Sequence, residues 1–163
     1  MHKLQWVQHK IFERENLVRE CNIWRNTGKK IVFTNGCFDI LHHGHLDLLA
    51  RAAGHGNILI VGINTDSSVQ RLKGPSRPVN NEQDRAFQVA SLLCTDAVCL
   101  FDEDTPETLI NLLKPDVLVK GGDYTIDKIV GADFVQSYGG SVEIIPFVNG
   151  YSTTSLIERI QRL

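Results

Sequence analysis

The sequence has no long hydrophobic run and no large excess of charge of either sign. None of its apolar runs approaches the roughly 18 residues of a membrane-spanning helix, and the N-terminal stretch MHKLQWVQHKIFERE has no apolar segment typical of a signal peptide. Seventeen Lys and Arg against 19 Asp and Glu give a formal charge of −2, which disfavours attraction to nucleic acid or to anionic membranes. These absences predict a cytoplasmic protein that binds neither nucleic acid nor membrane.

The four cysteines form no C-x-x-C pair, which disfavours a zinc knuckle or a thioredoxin-like site, and no metal ligand set is predicted. Cys94 and Cys99 lie in the apolar segment LLCTDAVCLF and are expected to be small core residues. Cys37 differs because it lies in a glycine-containing loop beside a histidine cluster, so a reactive thiol stays open at this position.

Apolar runs alternate with segments of helical spacing along the 163 residues, 42% of which are hydrophobic. This pattern predicts strands at 29–34, 57–64, 96–101, 116–122 and 142–147, with helices at 44–53, 66–74, 81–94, 105–114 and 152–163. Asp66 and Thr105 are expected as N-caps, and Pro106 as the first residue of its helix. The predicted fold is a single α/β domain at 29–163, a Rossmann-like, doubly wound parallel sheet of five strands. Residues 1–28 are predicted to form an N-terminal extension with a helix around 13–27.

The loop after the first strand, TNGCFDILHHGH (34–45), carries the strongest chemical signal. It matches neither G-x-G-x-x-G nor G-x-x-x-x-G-K-[ST], which disfavours dinucleotide-dependent dehydrogenases and P-loop kinases. His42 and His45 flank Gly44 at a predicted helix N-terminus, where free N–H groups attract anions and a glycine lets a phosphate approach the backbone. The alternatives are a surface or capping role and a zinc site, for which Asp39 is the only additional ligand nearby.

The same loop resembles the signature of the H-x-G-H nucleotidyltransferase superfamily, which has the cytidylyltransferase-like fold, and the resemblance extends over residues 29–160. KGGDY (120–124) resembles its nucleotide-binding segment, and STT (152–154) resembles its phosphate motif. The stretches RLKGPSRPVN and LLKPDVLVKGGDY are most similar to the adenylyltransferases of ADP-heptose synthesis. These join ATP and D-glycero-D-manno-heptose 1-phosphate and release pyrophosphate. In many bacteria they follow a sugar kinase, for which residues 1–28 are too short.

The resemblance implies roles for individual residues. The catalytic residues are His42, His45 and Lys73. The nucleotide-binding residues are Thr34, Asn35, Gly36, Cys37, Phe38, Gly44, Arg85, Lys120, Gly121, Gly122, Asp123, Ser152, Thr153 and Thr154. Asp39, Arg71 and Arg77 are assigned to the sugar phosphate. The sequence departs from the family where Tyr151 precedes STT in place of isoleucine, and where Cys37 stands at a position that is often threonine.

The segment RLKGPSRPVNNEQDR (71–85) has four basic and two acidic residues, which favours a mobile phosphate clamp over a merely solvated loop. ATP is the expected nucleotide and Mg²⁺ its partner, held mainly by phosphate oxygens. Relatives are often dimers, so a homodimer is implied as well. Two alternatives stay open: a cytidylyltransferase acting on a polyol phosphate such as glycerol 3-phosphate, and a non-catalytic nucleotide-binding module.

Overall fold

The computed structural model describes residues 2–148 and 150–163. The strands in chain order are β1 (Ile11–Phe12), β2 (Ile31–Gly36), β3 (Ile58–Asn64), β4 (Ala97–Phe101), β5 (Val117–Gly121) and β6 (Ser141–Ile145). The helices are α1 (Lys3–Gln8), α2 (Arg14–Asn26), α3 (His43–Ala53), α4 (Asp66–Lys73), α5 (Glu82–Ala90), α6 (Glu107–Leu113), α7 (Ala132–Ser137) and α8 (Thr153–Gln161), with a 3₁₀ turn at Ile126–Lys128. No helix in these two ranges is both long and apolar enough to cross a membrane.

All strands are parallel and form one sheet in the order β1-β4-β3-β2-β5-β6. This confirms the doubly wound α/β fold and corrects the predicted number of strands from five to six. The additional strand is β1, in which Ile11 pairs with Val98 and Phe12 with Cys99. Two residues are too few to show the alternation that identifies a strand from sequence.

The N-terminal segment packs onto the same core. Its helix α2 agrees with the helix expected around 13–27, and Leu17 and Cys21 on that helix are buried beside Ile31 and Phe33 of β2. The opposite face of the sheet is covered by α3 and α5, with Val32 of β2 in that layer. Because both faces are covered, β2 and β3 are nearly continuous apolar runs.

Several element ends differ from the prediction. Helix α5 stops at Ala90, and Leu93, assigned to it from spacing, is 92% exposed. Thr65 is the N-cap of α4, accepting from the Ser68 amide, with Asp66 as the first helical residue. Pro106 directly precedes α6 and occupies the cap position expected for Thr105. The 3₁₀ turn and α7 were not predicted.

The sheet topology gathers the functional segments at one edge. The carboxyl ends of β2, β3 and β5 meet there because neighbouring parallel strands end on the same side. Helix α3 begins at this edge, directly after the loop that follows β2. Helix α8 also begins near it, since Thr153 and His45 line common cavity walls.

Candidate active site

Two adjoining cavities open at the carboxyl edge of the sheet. The central hollow, of about 560 Å³, is walled by residues 35–39, 104–106 and 128–130 together with Asn64, Lys120, Gly121 and Tyr124. The terminal hollow, of about 600 Å³, is walled by residues 150–154 together with His42, Gly44, Arg77 and Val148. The residues that line both hollows are His45, Leu48, Lys73, Phe147 and Thr153. Two ligands that react with each other would meet at this shared wall.

The two predicted catalytic histidines are stacked at the start of α3. Their ring centroids are 3.8 Å apart and their planes differ by 18°. Behind them, the buried Phe38 packs edge-on against His45 with a centroid distance of 5.2 Å. A Cβ on Gly44 would lie 3.2 Å from the His42 ring, so the glycine makes room for the imidazole as well as for a ligand.

Burial favours the neutral form of both imidazoles. It lowers the pKa of His45 to about 4, helped by the nearby charges of His42 and Lys73, and it lowers the pKa of His42 as well. Nδ1 of each ring is buried without a hydrogen-bond partner among the described residues, and so is Nη2 of Arg77. These three atoms have almost no solvent-accessible surface, so they lie within the wall of the terminal hollow and do not face its opening.

The segment after α4 is anchored to the loop after β2 through Asp39. This buried carboxylate accepts from Arg77 Nε at 2.6 Å and from the backbone amides of Val79 and Asn80 at 2.8 and 2.9 Å. Burial alone would raise the pKa of Asp39, but the hydrogen bonds from Asn80, Arg77 and Val79 outweigh it and lower that pKa. Asp39 lines the central hollow, yet its oxygens are engaged by protein donors, so it positions Arg77.

Arg85 lies apart from the other residues of the predicted site. Its side chain is fully buried and lines neither hollow. It donates to the carbonyl oxygens of Asn80 and Cys37 at 3.0 and 2.6 Å and to Asp66 at 2.8 Å. Arg85 therefore links the loop after β2, the segment before α5 and the start of α4, and it faces neither hollow.

Arg71 also lies away from both hollows. It is exposed and pairs with Asp102 and Asp104 on the surface, which is not the sugar-phosphate role expected for it. Lys73, two residues later, is exposed and lines both hollows at the end of α4. Of the predicted basic residues in 71–85, the structure thus brings Lys73 and Arg77 to the site.

The loop after β2 and the end of β5 form the floor of the central hollow. Asn35, Gly36 and Cys37 line this cavity, whereas Thr34 is fully buried and lines neither hollow. Lys120 Nζ lies 3.4 Å from Asn35 Oδ1, and burial lowers the pKa of its ammonium.

The two segments predicted to bind nucleotide differ in how fully they reach the cavities. Gly121 lines the central hollow, whereas Gly122 is buried beside it and Asp123 is exposed outside both hollows. Residues 152–154 all line the terminal hollow at the start of α8. Ser152 is also the N-cap, accepting from the Ser155 amide at 3.0 Å, so its hydroxyl is already in use.

Several further lining residues had no predicted role, among them Asn64, Phe147 and Tyr151, and Tyr124 was included only as part of the KGGDY segment. Asn64 could have been predicted from the sequence, because it is the last residue of β3 and a polar side chain there lies at the carboxyl edge of the sheet. Phe147 had been assigned to the last strand, but β6 ends at Ile145.

Comparisons with known proteins are consistent with this geometry. A family model described as cytidylyltransferase-like matches residues 33–159. The chain is 54% identical over 159 residues to the bifunctional protein HldE of Syntrophotalea carbinolica, covering 98% of this chain and 32% of that protein. It is 58% identical over 137 residues to the bifunctional protein HldE of Paramagnetospirillum magneticum, covering 84% of this chain and 28% of that protein. The chain thus spans about a third of the length of these relatives.

A solved structure gives the same fold. The lipopolysaccharide core biosynthesis protein from Thermoplasma volcanium GSS1 superposes with a TM-score of 0.60 at 28% identity. The match covers 77% of this chain and all of that one.

Proposed function

Because the chain belongs to the cytidylyltransferase-like family, we propose that it transfers AMP from ATP to D-glycero-D-manno-heptose 1-phosphate, giving ADP-heptose and pyrophosphate. The similarity to the HldE proteins and to a lipopolysaccharide core biosynthesis protein supports this substrate pair over the alternatives. The motif resemblance of residues 71–80 and 112–124 points to the same acceptor.

One observation carries the proposal: the stacked His42–His45 pair lies at a helix N-terminus, and His45 and Lys73 line the wall shared by two cavities. In the reaction, an oxygen of the sugar phosphate forms a bond to the α-phosphorus of ATP. The bond from that phosphorus to the β-phosphate bridging oxygen breaks, and pyrophosphate leaves. The nucleophile is already an anion, so the protein needs to supply positioning and charge stabilisation and no general base.

The terminal hollow suits the triphosphate. The free N–H groups at the starts of α3 and α8 can donate to phosphate oxygens, and Arg77 adds a positive charge to the wall of this hollow. The neutral imidazoles of His42 and His45 can each donate one hydrogen bond, which strengthens as negative charge builds in the transition state. The acceptor phosphate then reaches the α-phosphate at the shared wall, where Lys73 supplies positive charge.

We propose that ATP binds as its magnesium complex, with the metal held by phosphate oxygens and screening their charge. In the two described ranges, no group of three or more His, Cys, Asp or Glu is placed to hold a metal ion, and Asp39 is engaged by Arg77. The residues around the site therefore fit a metal that is bound by the nucleotide and arrives with it. We place the reaction in the cytoplasm, where ATP and sugar phosphates are available, and we retain the homodimer as a prediction from the family.

The test is incubation of the protein with ATP, Mg²⁺ and D-glycero-D-manno-heptose 1-phosphate, with pyrophosphate and ADP-heptose measured. A parallel reaction contains CTP and glycerol 3-phosphate. We expect ADP-heptose in the first reaction only. Product from the second would favour the cytidylyltransferase, and ATP binding without pyrophosphate release under either condition would favour the non-catalytic module.

A further inference from the structure

Phe147 is an exposed aromatic side chain at the meeting point of the two hollows. Its side chain is 61% exposed, and it is one of the few residues that line both cavities. Ligand cavities combine apolar and aromatic side chains with a few polar groups, so a large apolar side chain at this position provides a surface for an apolar part of a ligand.

The Phe147 ring is held in place by two glycines. A Cβ on Gly122 would lie 2.9 Å from the Phe147 ring, and a Cβ on Gly121 would lie 3.2 Å from it. Gly122 also has a φ of +125°, a backbone conformation that other residues rarely adopt, and its amide donates to the Ile145 carbonyl at 2.9 Å. The ring therefore packs against bare backbone, in a space that any side chain at Gly122 would fill.

A second ring flanks the same glycine. The hypothetical Cβ of Gly122 would lie 2.9 Å from Tyr124, which is 45% exposed and lines the central hollow. Both aromatic side chains thus approach the same glycine just beyond the end of β5, within the cavity system that contains the starts of α3 and α8. A flat, apolar ring carried by a phosphate ligand matches this arrangement, because aromatic side chains bind nucleobases by stacking.

We propose that Phe147, assisted by Tyr124, stacks on the adenine base of the nucleotide and so favours a purine over a pyrimidine. This inference rests on the proposed function, because it assigns a base to the same site. A purine presents a larger ring surface than cytosine, so stacking on Phe147 stabilises bound ATP more than bound CTP. Base selection then needs no charged side chain.

The experiment compares the binding of ATP, CTP and inorganic tripolyphosphate to the wild type and to Phe147→Ala by calorimetry. We expect the variant to bind ATP about tenfold more weakly than the wild type and its affinity for CTP to fall by less. Tripolyphosphate has no base, so it should bind equally to the variant and to the wild type. Phe147→Trp should retain ATP affinity, and its added indole emission should change with ATP but not with tripolyphosphate. Phe87→Ala is the matched control, because Phe87 is 39% exposed on α5 and lines neither hollow.

Steady-state kinetics gives an independent readout. A base contact that is equal in the ground state and the transition state should change the KM for ATP and leave kcat nearly unchanged. Equal loss of ATP and tripolyphosphate binding in Phe147→Ala would overturn the inference, because it would show that the ring only maintains the cavity. Unchanged ATP binding would overturn it as well. If the wild type binds ATP in a Phe147-dependent way but releases no pyrophosphate, the proposed function fails and the stacking role stands.

Discussion

The imidazole rings of His42 and His45 lie face to face, 3.8 Å apart, at the first turn of α3. Stacking at this distance is compatible with two neutral rings, and burial keeps both in that form by lowering their pKa values. Each ring then has one N–H to donate and no charge to repel its neighbour. The pair can thus donate two hydrogen bonds to a bound anion.

Replacing either histidine with alanine should lower kcat by roughly 100-fold or more, because each donor acts mainly on charge that develops in the transition state. The measurement is pyrophosphate release under saturating substrates, with thermal unfolding as the check that the fold persists. Turnover close to the wild type in both variants would exclude the pair from the mechanism.

The lowered pKa of His45 predicts a pH-dependent loss of stability. Its folded-state pKa of about 4 lies below the ordinary value of 6.5, so the unfolded chain binds this proton more readily. His45 therefore makes its full contribution to the free energy of unfolding above the ordinary pKa, and this contribution is lost as the pH drops toward the folded-state value. His45→Gln removes this contribution, so the wild type should lose roughly 1–2 kcal/mol more than the variant between about pH 7.5 and about pH 5. Urea unfolding at the two pH values measures this difference, and equal losses would show that His45 titrates alike in both states.

Arg85→Met should destabilise the fold strongly. The fully buried guanidinium donates to two carbonyl oxygens and to Asp66, and its removal leaves those acceptors without partners. We expect the free energy of unfolding to fall by about 3 kcal/mol. Arg71→Met is the matched control, since its ion pairs lie on the surface and should contribute little to stability. If Arg85→Met keeps wild-type stability but loses ATP affinity, the nucleotide-binding role predicted from sequence would replace the structural one.

The sequence was sufficient for features that depend on local spacing. The helix start at His42–His45 and the parallel sheet follow from a short motif and from alternating apolar runs. The orientation of Arg85 could not be predicted, because a basic residue on an amphipathic helix has the same sequence pattern whether its head group faces solvent, ligand or core. Phe147 was missed for a similar reason: VEIIPF has the composition of a strand to its last residue, and only the pairing of β5 with β6 shows where that strand ends.

Lys73→Ala should both raise the KM and lower kcat, because an ammonium at the shared wall contacts the phosphates before and during transfer. Initial rates with ATP and the sugar phosphate each varied would show this. Lys29→Ala, an exposed lysine that lines neither hollow, is the control. Unchanged kinetics in Lys73→Ala would show that the segment after α4 is an ordinary solvated loop.

A substitution at Arg77 tests whether the shape of its head group matters in the terminal hollow or only its positive charge. Arg77 Nε donates to Asp39 at 2.6 Å, and the Arg77 side chain lines the hollow. A lysine has one compact head group and cannot bind Asp39 and a ligand phosphate in the same forked way. Arg77→Lys should therefore weaken the binding of ATP and of inorganic tripolyphosphate by about tenfold although the charge is unchanged. Arg71→Lys, in surface ion pairs outside both hollows, should leave binding as it is. If Arg77→Lys binds both ligands like the wild type, the positive charge alone is sufficient for binding. The contact with Asp39 would then only anchor the segment after α4.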